Sequence, residues 1–286
     1  MTVVNPQDYA GLQPAWCPGC GNFGILSALK KALVDLNIPP YNLLVVSGIG
    51  QAGKLPHYMK CNTFNSLHGR AVPVAIGAKI ANHDLTVIAV GGDGDGYAEG
   101  GNHWIHAMRR NHDITYMVHN NQIYALTKGQ ASPTSDTGFI TKTTPEGSPP
   151  QINPLALAIA SDASFVARGF AGDVDHLAGL IKQAITHKGF ALLDILQPCV
   201  SFNHVNTYEW YSKRVYKLDE EKKYNPADKI MAFNKSMEWG DRIPIGIFYH
   251  KERPVFEKSL KALRNIALVK QPVEPARIQK LMTDFY

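Results

Sequence analysis

Apolar residues follow two alternating patterns along the first two hundred positions of the chain. One pattern has helical spacing and predicts helices over residues 23–36, 68–82, 97–110, 155–160 and 174–187. The other consists of short continuous apolar runs that predict buried strands at 42–47, 85–90, 114–118, 164–167 and 190–196. Because such strands alternating with helices are typical of covered parallel sheets, we expect an α/β fold: a mostly parallel sheet with helices on both faces.

The pattern changes after Cys199. Aromatic and charged residues mix in NTYEWYSKRVYKLDEEKKY (206–224), and an amphipathic helix is predicted over 227–239. We therefore expect two parts. Residues 1–199 form the main domain, and residues 200–286 form a C-terminal extension that packs on this domain or on a partner subunit.

Composition limits the class of protein without naming its chemistry. Of the 286 residues, 45% are hydrophobic and 19% charged, which is ordinary for a globular chain. No apolar run reaches the roughly 20 residues that a membrane helix needs, and no basic segment followed by an apolar one opens the chain. We therefore expect a cytoplasmic protein that does not associate with membranes.

The net charge of +5 comes entirely from the C-terminal extension. Residues 1–199 hold 13 basic and 13 acidic side chains, whereas residues 200–286 hold 16 and 11. This excess favours a solvated surface, and it also suits an acidic partner, either a protein or a nucleic acid.

The four cysteines are Cys17 and Cys20, which form a Cys-Pro-Gly-Cys knuckle, and the single Cys61 and Cys199. In a cytosolic protein, a Cys-x-x-Cys pair indicates a metal or redox site more often than a structural disulfide. Four thiolates can hold a zinc ion or an iron–sulfur cluster. A lone redox pair with two free thiols fits the spacing as well, so spacing alone leaves all three possibilities open.

The segment GGDGDG (91–96) follows a predicted strand, and Asn-Asn (120–121) follows the next one. Asp93 and Asn121 are 28 residues apart, a length that one helical crossover covers, so both should reach the same edge of the sheet. Together with a backbone carbonyl near Ile123, they would supply hard oxygens to Mg²⁺, which a bound diphosphate and water would complete. The glycines would let the backbone approach that diphosphate.

Several motifs occur together: WCPGCG, SGIG, LHGRA, GGDGD and NNQIYALTKGQASPTS. In this order, over about residues 14–215, the chain resembles the beta subunit of the 2-oxoacid:ferredoxin oxidoreductases. The resemblance implies the pyrophosphate-domain fold of thiamine diphosphate enzymes, with thiamine diphosphate, Mg²⁺ and one [4Fe–4S] cluster. It also implies an alpha (or fused gamma/alpha) subunit as partner, which would supply the glutamate that activates the cofactor.

The resemblance assigns roles to individual residues. Asp93, Asn121 and the Ile123 carbonyl would bind Mg²⁺. The cofactor's diphosphate and rings would contact Gly92, Gly94, Asp95, Thr127, Ile49 and Gly50, with His68 and Arg70 in the same pocket. Lys54 and Leu126 would border the substrate, Lys54 by pairing with a carboxylate. Cys17, Cys20 and Cys199 would bind the cluster.

One position departs from the family's pattern. In relatives a cysteine ligand directly follows GIG, but here that residue is Gln51. Either Cys61, the only cysteine left, reaches the cluster, or the cluster has an unusual fourth ligand, or the cluster is absent. Because the chain has four cysteines and no spare one, we expect Cys61 to be the fourth ligand.

The implied reaction is the oxidative decarboxylation of a 2-oxoacid, 2-oxoglutarate being favoured. Coenzyme A would take the acyl group, and the cluster would pass electrons to ferredoxin. Two other classes remain: a non-oxidative thiamine diphosphate decarboxylase or carboligase with a structural zinc, and a zinc module that binds nucleic acid through the basic extension. The first class would be colourless, and the second would show strongly salt-dependent binding. We favour the oxidoreductase, with no nucleic acid partner.

Overall fold

The computed structural model describes residues 3–272, 275–283 and 285. Within these residues, eight strands form one sheet in the order β2-β1-β3-β4-β8-β7-β10-β9. Their bounds are β1 Leu43–Ser47, β2 Asn62–Asn65, β3 Thr86–Gly92, β4 Thr115–Asn120, β7 Phe165–Phe170, β8 Ala191–Leu196, β9 Val215–Lys217 and β10 Ile243–His250. A separate hairpin joins β5 (Ile123–Tyr124) to β6 (Gln130–Ala131).

All neighbouring strands of the large sheet are parallel except β7 and β10, which run antiparallel. The helices are α1 Asn22–Asp35, α2 Ala71–Ala81, α3 Gly101–Arg110, α4 Pro154–Ala160, α5 Val174–Thr186, α6 Tyr208–Ser212, α7 Lys229–Ser236, α8 Phe256–Ser259 and α9 Pro275–Thr283. The predicted mostly parallel α/β sheet is confirmed.

Two apolar layers cover the sheet, because strand side chains point alternately to its two faces. One layer packs α1 and α5 on Val45, Ile88 and Leu193. The other packs α2, α3 and α4 on their strand neighbours, including Val87 and Leu192. Each strand core is therefore buried on both sides, which explains the continuous apolar runs in the sequence.

The structure differs from the predicted elements at several places, and strands β9 and β10 of the large sheet were not predicted. The helix predicted from residue 68 begins only at Ala71, since Gly69 has a φ of +71° that a helix does not allow. The helix predicted from 97 is preceded by a π-helical turn, Gly94–Glu99. The short strand β2 was not predicted because its four residues are exposed and carry no apolar run.

The segment after residue 199 contributes to the main sheet. Its strand β10 pairs with β7, and β9 pairs with β10 at the sheet's edge. The predicted amphipathic helix over 227–239 is observed as α7, where the Asp228 side chain accepts hydrogen bonds from the first turn. No helix in the described ranges is long and apolar enough to cross a membrane.

Candidate active site

One cavity opens at the carboxyl edge of the sheet, where β1, β3 and β4 end side by side. Its wall consists of Ile49, Gly50, Gln51, Ala52, His68, Gly92, Asp93, Gly94, Asp95, Asn121, Ile123, Tyr124, Ala125, Leu126 and Thr127. Every predicted cofactor or substrate residue lies in this wall except Lys54 and Arg70. Lys54 is half-buried on the adjoining 3₁₀ helix, Ala52–Tyr58, and Arg70 Nη1 lies 2.8 Å from His103 Nε2.

Asp93 is a buried carboxylate held in place by two hydroxyls. Ser132 Oγ and Thr134 Oγ1 donate to its Oδ2 at 2.5 and 2.6 Å. Burial raises the pKa of Asp93 to about 6, although the two hydroxyls act in the opposite direction. A buried carboxylate with a raised pKa at a strand end is typical of a functional site. Sequence reasoning missed both hydroxyls, although they belong to the quoted ASPTS segment.

Asp95 braces the loops around the cavity. Its Oδ1 accepts hydrogen bonds from the backbone N–H groups of Gly69 and Ile49, at 2.8 and 3.0 Å. Its Oδ2 is buried without a hydrogen-bond partner in the described part of the chain, and burial raises the pKa of the side chain. Gly48 leaves room for this carboxylate, since an added Cβ would lie 1.9 Å from Oδ2. The residue therefore ties the end of β1 to the turn before α2.

Two glycines of GGDGDG, Gly94 and Gly96, are required because aromatic side chains approach closely. A Cβ on Gly94 would lie 2.2 Å from the ring of Tyr124. A Cβ on Gly96 would lie 2.0 Å from Tyr116 Oη and 3.1 Å from Tyr116 Cζ. Both glycines belong to the π-helical turn, so this turn can exist only with residues that lack side chains at these points.

The Gly96→Ala variant is expected to lose about 1–3 kcal/mol of unfolding free energy through overpacking. Adding Tyr116→Phe removes the closest atom and should restore part of that loss. Gly101→Ala is the matched control, because nothing lies within 4 Å of its added Cβ. Urea denaturation of the three variants measures the effect. Equal stability of Gly96→Ala and Gly101→Ala would contradict this account of the turn.

The HNNQIY segment is shaped by its own amides and by the C-terminal extension. Asn121 Oδ1 accepts a hydrogen bond from the backbone N–H of Ile123 at 3.1 Å, across a turn in which Gln122 has a φ of +57°. Asn203 Nδ2 donates to the Asn121 carbonyl, and Tyr211 Oη donates to Gln122 Oε1. The pattern of the extension gave no signal for these two residues, which contact the site from more than 80 positions away.

A buried ion pair lies on strands β7 and β8, next to the segments that form the cavity. Arg168 Nε on β7 lies 3.3 Å from Asp194 Oδ2 on the neighbouring strand β8, where the two residues are direct partners. The other oxygen, Asp194 Oδ1, accepts hydrogen bonds from Tyr97 Oη at 2.8 Å and Asn120 Nδ2 at 3.0 Å. Tyr97 lies in the π-helical turn that also contains Asp95, and Asn120 directly precedes Asn121. One carboxylate therefore links two segments that carry residues of the cavity wall.

The oxygen groups at this edge suit Mg²⁺ and a diphosphate. Asp93 supplies a carboxylate, Asn121 a side-chain amide and Ile123 a backbone carbonyl, which are the ligand types that Mg²⁺ prefers. Gly94 keeps the backbone beside them free of side chains. The chemistry of the donor set therefore fits the predicted group.

Three of the four cysteines lie in one region. The backbone N–H of Cys20 donates to the Cys17 carbonyl, and the next residue donates to the Pro198 carbonyl. Gln197 Nε2 lies 3.4 Å from Cys20 Sγ. Burial raises the pKa of the Cys20 thiol to about 11, and the nearby thiols of Cys199 and Cys17 add to the rise.

Cys61, the predicted fourth ligand, is not brought to the other three. It is half-buried just before β2, where it packs against the apolar layer of α1, and burial raises its pKa to about 11. Gln51 lies beside the knuckle instead, since Trp16 Nε1 donates to the Gln51 carbonyl at 2.9 Å. Among residues 3–272, 275–283 and 285, no three His, Cys, Asp or Glu side chains are arranged to hold a metal ion.

Comparison with known proteins agrees with this geometry. The model of the C-terminal thiamine pyrophosphate binding domain of thiamine pyrophosphate enzymes matches residues 47–195. The model of the C-terminal part of the pyruvate ferredoxin oxidoreductase beta subunit matches residues 199–265. The two matches together cover the cavity, the large sheet apart from most of β1 and the last residue of β8, and most of the C-terminal extension.

Individual relatives point to one family. The chain is 53% identical over 249 residues to the 2-oxoacid:ferredoxin oxidoreductase subunit beta of Saccharolobus solfataricus, covering 83% of this chain and 82% of the relative. It is 36% identical over 250 residues to the 2-oxoglutarate synthase subunit KorB of Methanocaldococcus jannaschii, covering 87% and 92%.

A solved structure has the same fold over nearly the whole chain. It is a 2-oxoglutarate:ferredoxin oxidoreductase from Magnetococcus marinus with 2-oxoglutarate, coenzyme A and succinyl-CoA bound. The TM-score is 0.90 at 36% identity, over 98% of this chain and 97% of that one. The resemblance inferred from the motifs is confirmed: this chain belongs to the beta-subunit family of the 2-oxoacid:ferredoxin oxidoreductases.

Proposed function

We propose that this beta subunit works with an alpha subunit to oxidise 2-oxoglutarate to succinyl-CoA and CO₂, and that it delivers the electrons to ferredoxin. The observation that carries the proposal is the meeting of Asp93 and Asn121 in one cavity at adjacent parallel strand ends. Thiamine diphosphate and Mg²⁺ are the cofactors that this arrangement suits. The names of the relatives support the oxoacid and the electron acceptor.

The chain's own residues bind and orient the cofactor. When bound, thiamine diphosphate supplies a carbanion that can add to the keto carbon of a 2-oxoacid. Asp93, Asn121 and the Ile123 carbonyl would hold the Mg²⁺, whose positive charge would stabilise the diphosphate. The hydroxyls of Ser132 and Thr134 keep Asp93 in one orientation and favour its charged form. Metal binding favours that form further, because Mg²⁺ takes a deprotonated carboxylate.

The names of two relatives and two residues of this chain support the preference for 2-oxoglutarate. KorB of Methanocaldococcus jannaschii and the Magnetococcus marinus enzyme are both named for 2-oxoglutarate. Within this chain, Lys54 stands one helical turn from the cavity wall and carries a positive charge that suits a carboxylate. Leu126 is partly exposed in the wall, where it can border the substrate's carbon chain.

Replacing Lys54 by Met is expected to raise KM for 2-oxoglutarate by about 10–150-fold, because a hydrogen bond to a charged group contributes about 1.5–3 kcal/mol. Lys60→Met is the matched control, since this lysine is exposed beyond the far end of the same 3₁₀ helix. Steady-state kinetics with 2-oxoglutarate and 2-oxobutyrate locates the contact. If KM rises for 2-oxoglutarate alone, Lys54 contacts its second carboxylate. If KM rises for both substrates, Lys54 contacts the carboxylate next to the keto group, which both share. Unchanged KM values for both substrates would remove Lys54 from the site.

The decisive test is anaerobic purification of the chain with its alpha subunit. We expect a brown protein with about four irons and four sulfides per beta chain, the content of one [4Fe–4S] cluster. It should reduce ferredoxin only when 2-oxoglutarate and coenzyme A are both present. A colourless protein with one zinc per chain that releases an aldehyde from the oxoacid would replace this proposal with the non-oxidative decarboxylase.

A further inference from the structure

The strand register shows how far Cys61 lies from the other cysteines. Asn62 pairs with Leu44 at the start of β2, so Cys61 lies at the amino edge of the sheet. Leu196 ends β8 at the carboxyl edge, three residues before Cys199. The pairing across the strands places Thr63 level with Ala191. Cys61 lies two residues before this level and Leu196 five residues after it, so the two are seven residues apart along the strand direction. At about 3.3 Å per residue this offset is about 23 Å.

The same register gives the sideways distance. β2 and β8 are separated by β1, β3 and β4, which makes four strand spacings. At about 4.8 Å each, these spacings add about 19 Å across the sheet. A single iron–sulfur cluster is only a few ångströms wide, so no rotation of the Cys61 side chain can close such a gap.

Helix α1 provides an independent measure. The Cys20 carbonyl accepts a hydrogen bond from Phe23 in the first turn of α1. Lys60, next to Cys61, donates to the Tyr9 carbonyl, and Tyr9 Oη donates to the Ile38 carbonyl beyond the other end of α1. This helix has 14 residues and is therefore about 21 Å long. The length of α1 and the strand register therefore both place Cys61 at the opposite side of the domain from the knuckle.

Gln51, unlike Cys61, lies near the Cys-Pro-Gly-Cys knuckle. It leaves the carboxyl end of β1, and the indole of Trp16, the residue before Cys17, donates to its carbonyl. Its side-chain oxygen, Oε1, is buried without a hydrogen-bond partner among the described residues. Gln51 also forms part of the cavity wall. A buried amide oxygen without a partner is costly unless a ligand satisfies it.

We propose that Cys17, Cys20 and Cys199 hold three irons of the [4Fe–4S] cluster, and that the fourth iron takes the Gln51 amide oxygen instead of a thiolate. This inference rests on the proposed function, which requires the cluster. Cys61 is then a structural thiol of the apolar layer. The oxygen-ligated iron would be the one that exchanges most readily, since the other three irons would be held by thiolates.

Iron analysis of cysteine variants in the anaerobically purified enzyme tests the ligand set. Cys17→Ser, Cys20→Ser and Cys199→Ser are expected to lose most of the iron, whereas Cys61→Ser keeps the wild-type iron and sulfide content. Cys61→Ala is a second variant that keeps the site apolar, in case Cys61→Ser does not fold. Thermal melting shows whether each variant is folded. Loss of the cluster from folded Cys61→Ala would overturn the inference. A wild-type enzyme without iron would instead remove the proposed function itself.

Oxidation by ferricyanide tests the fourth ligand. In the wild type, each cluster is expected to give one electron to ferricyanide and release one Fe²⁺, which leaves a [3Fe–4S] form detectable by electron paramagnetic resonance. Gln51→Cys supplies a thiolate at this position and should suppress that release at least several-fold, while Gln51→Ala should not. A wild-type cluster as resistant to ferricyanide as the Gln51→Cys cluster would show a fourth thiolate and overturn the assignment of Gln51.

Discussion

The Asp93→Asn variant is expected to lose Mg²⁺-dependent binding of thiamine diphosphate and to fall at least about 100-fold in turnover. Replacing partners that only orient a metal ligand already costs about 10–100-fold, and Asp93 is proposed to be the ligand itself. Titration calorimetry with thiamine diphosphate and Mg²⁺, together with turnover of the assembled enzyme, measures the loss. Ser132→Ala removes one of the two hydroxyl donors and should give a smaller decrease of about 10-fold.

The Asp93→Asn substitution should not destabilise the cofactor-free protein. Because burial raises the pKa of Asp93 to about 6, this group stabilises the fold below about pH 4, and its contribution is lost as the pH rises through about 6. Near pH 7 an uncharged Asn therefore removes the free-energy cost of burying a charged carboxylate. Asp84→Asn, at an exposed ion pair with Lys270, is the control for loss of a carboxylate elsewhere. Wild-type cofactor affinity in Asp93→Asn would contradict its role as a Mg²⁺ ligand.

The Asp194→Ala variant is expected to lose about 3–5 kcal/mol of unfolding free energy, the usual result of leaving one partner of a buried pair uncompensated. Asp194 is fully buried, and its removal leaves Arg168, Tyr97 and Asn120 without their common acceptor. Cofactor affinity should fall as well, since Tyr97 and Asn120 belong to the segments that carry the wall residues Asp95 and Asn121. Urea denaturation and calorimetry measure the two effects.

The double variant Arg168→Met/Asp194→Leu is the informative control. It removes both charges together, so we expect it to cost less than Asp194→Ala alone. The surroundings favour this outcome, because Arg168 already lies 5.5 Å from the ring centres of both Trp239 and Phe248. If the double variant were as unstable as the single one, the loss would come from the hydrogen bonds of Tyr97 and Asn120 and not from an unpaired charge.

Most of the main sheet and the position of the cavity could be predicted from the sequence. Strands such as β3 and β8 are continuous apolar runs because both of their faces are covered, and this leaves a signal that can be read without the structure. Asp93 and Asn121 follow two such strands, so their meeting at one edge depends only on parallel pairing. Their role as Mg²⁺ ligands stays a prediction.

Contacts made by residues distant in sequence could not be predicted. Asn203 and Tyr211 reach the HNNQIY segment from the extension through single polar side chains that have no pattern around them. The expectation for Cys61 was based on counting cysteines, and counting contains no information about which edge of the sheet a residue reaches. The position depends on the register of β2, whose exposed residues gave no signal.

The late pairing of β10 with β7 affects how the chain is made. Strand β7 ends at Phe170, but its partner begins at Ile243, 73 residues later. At about 5–20 residues per second, the ribosome needs about 4–15 seconds to deliver that partner. During this time the buried, apolar β7 presents an open hydrogen-bonding edge, which is a template for aggregation. Yield during rapid overexpression should therefore depend on how long this edge stays uncovered, and slower synthesis or a chaperone that shields it should increase the soluble fraction.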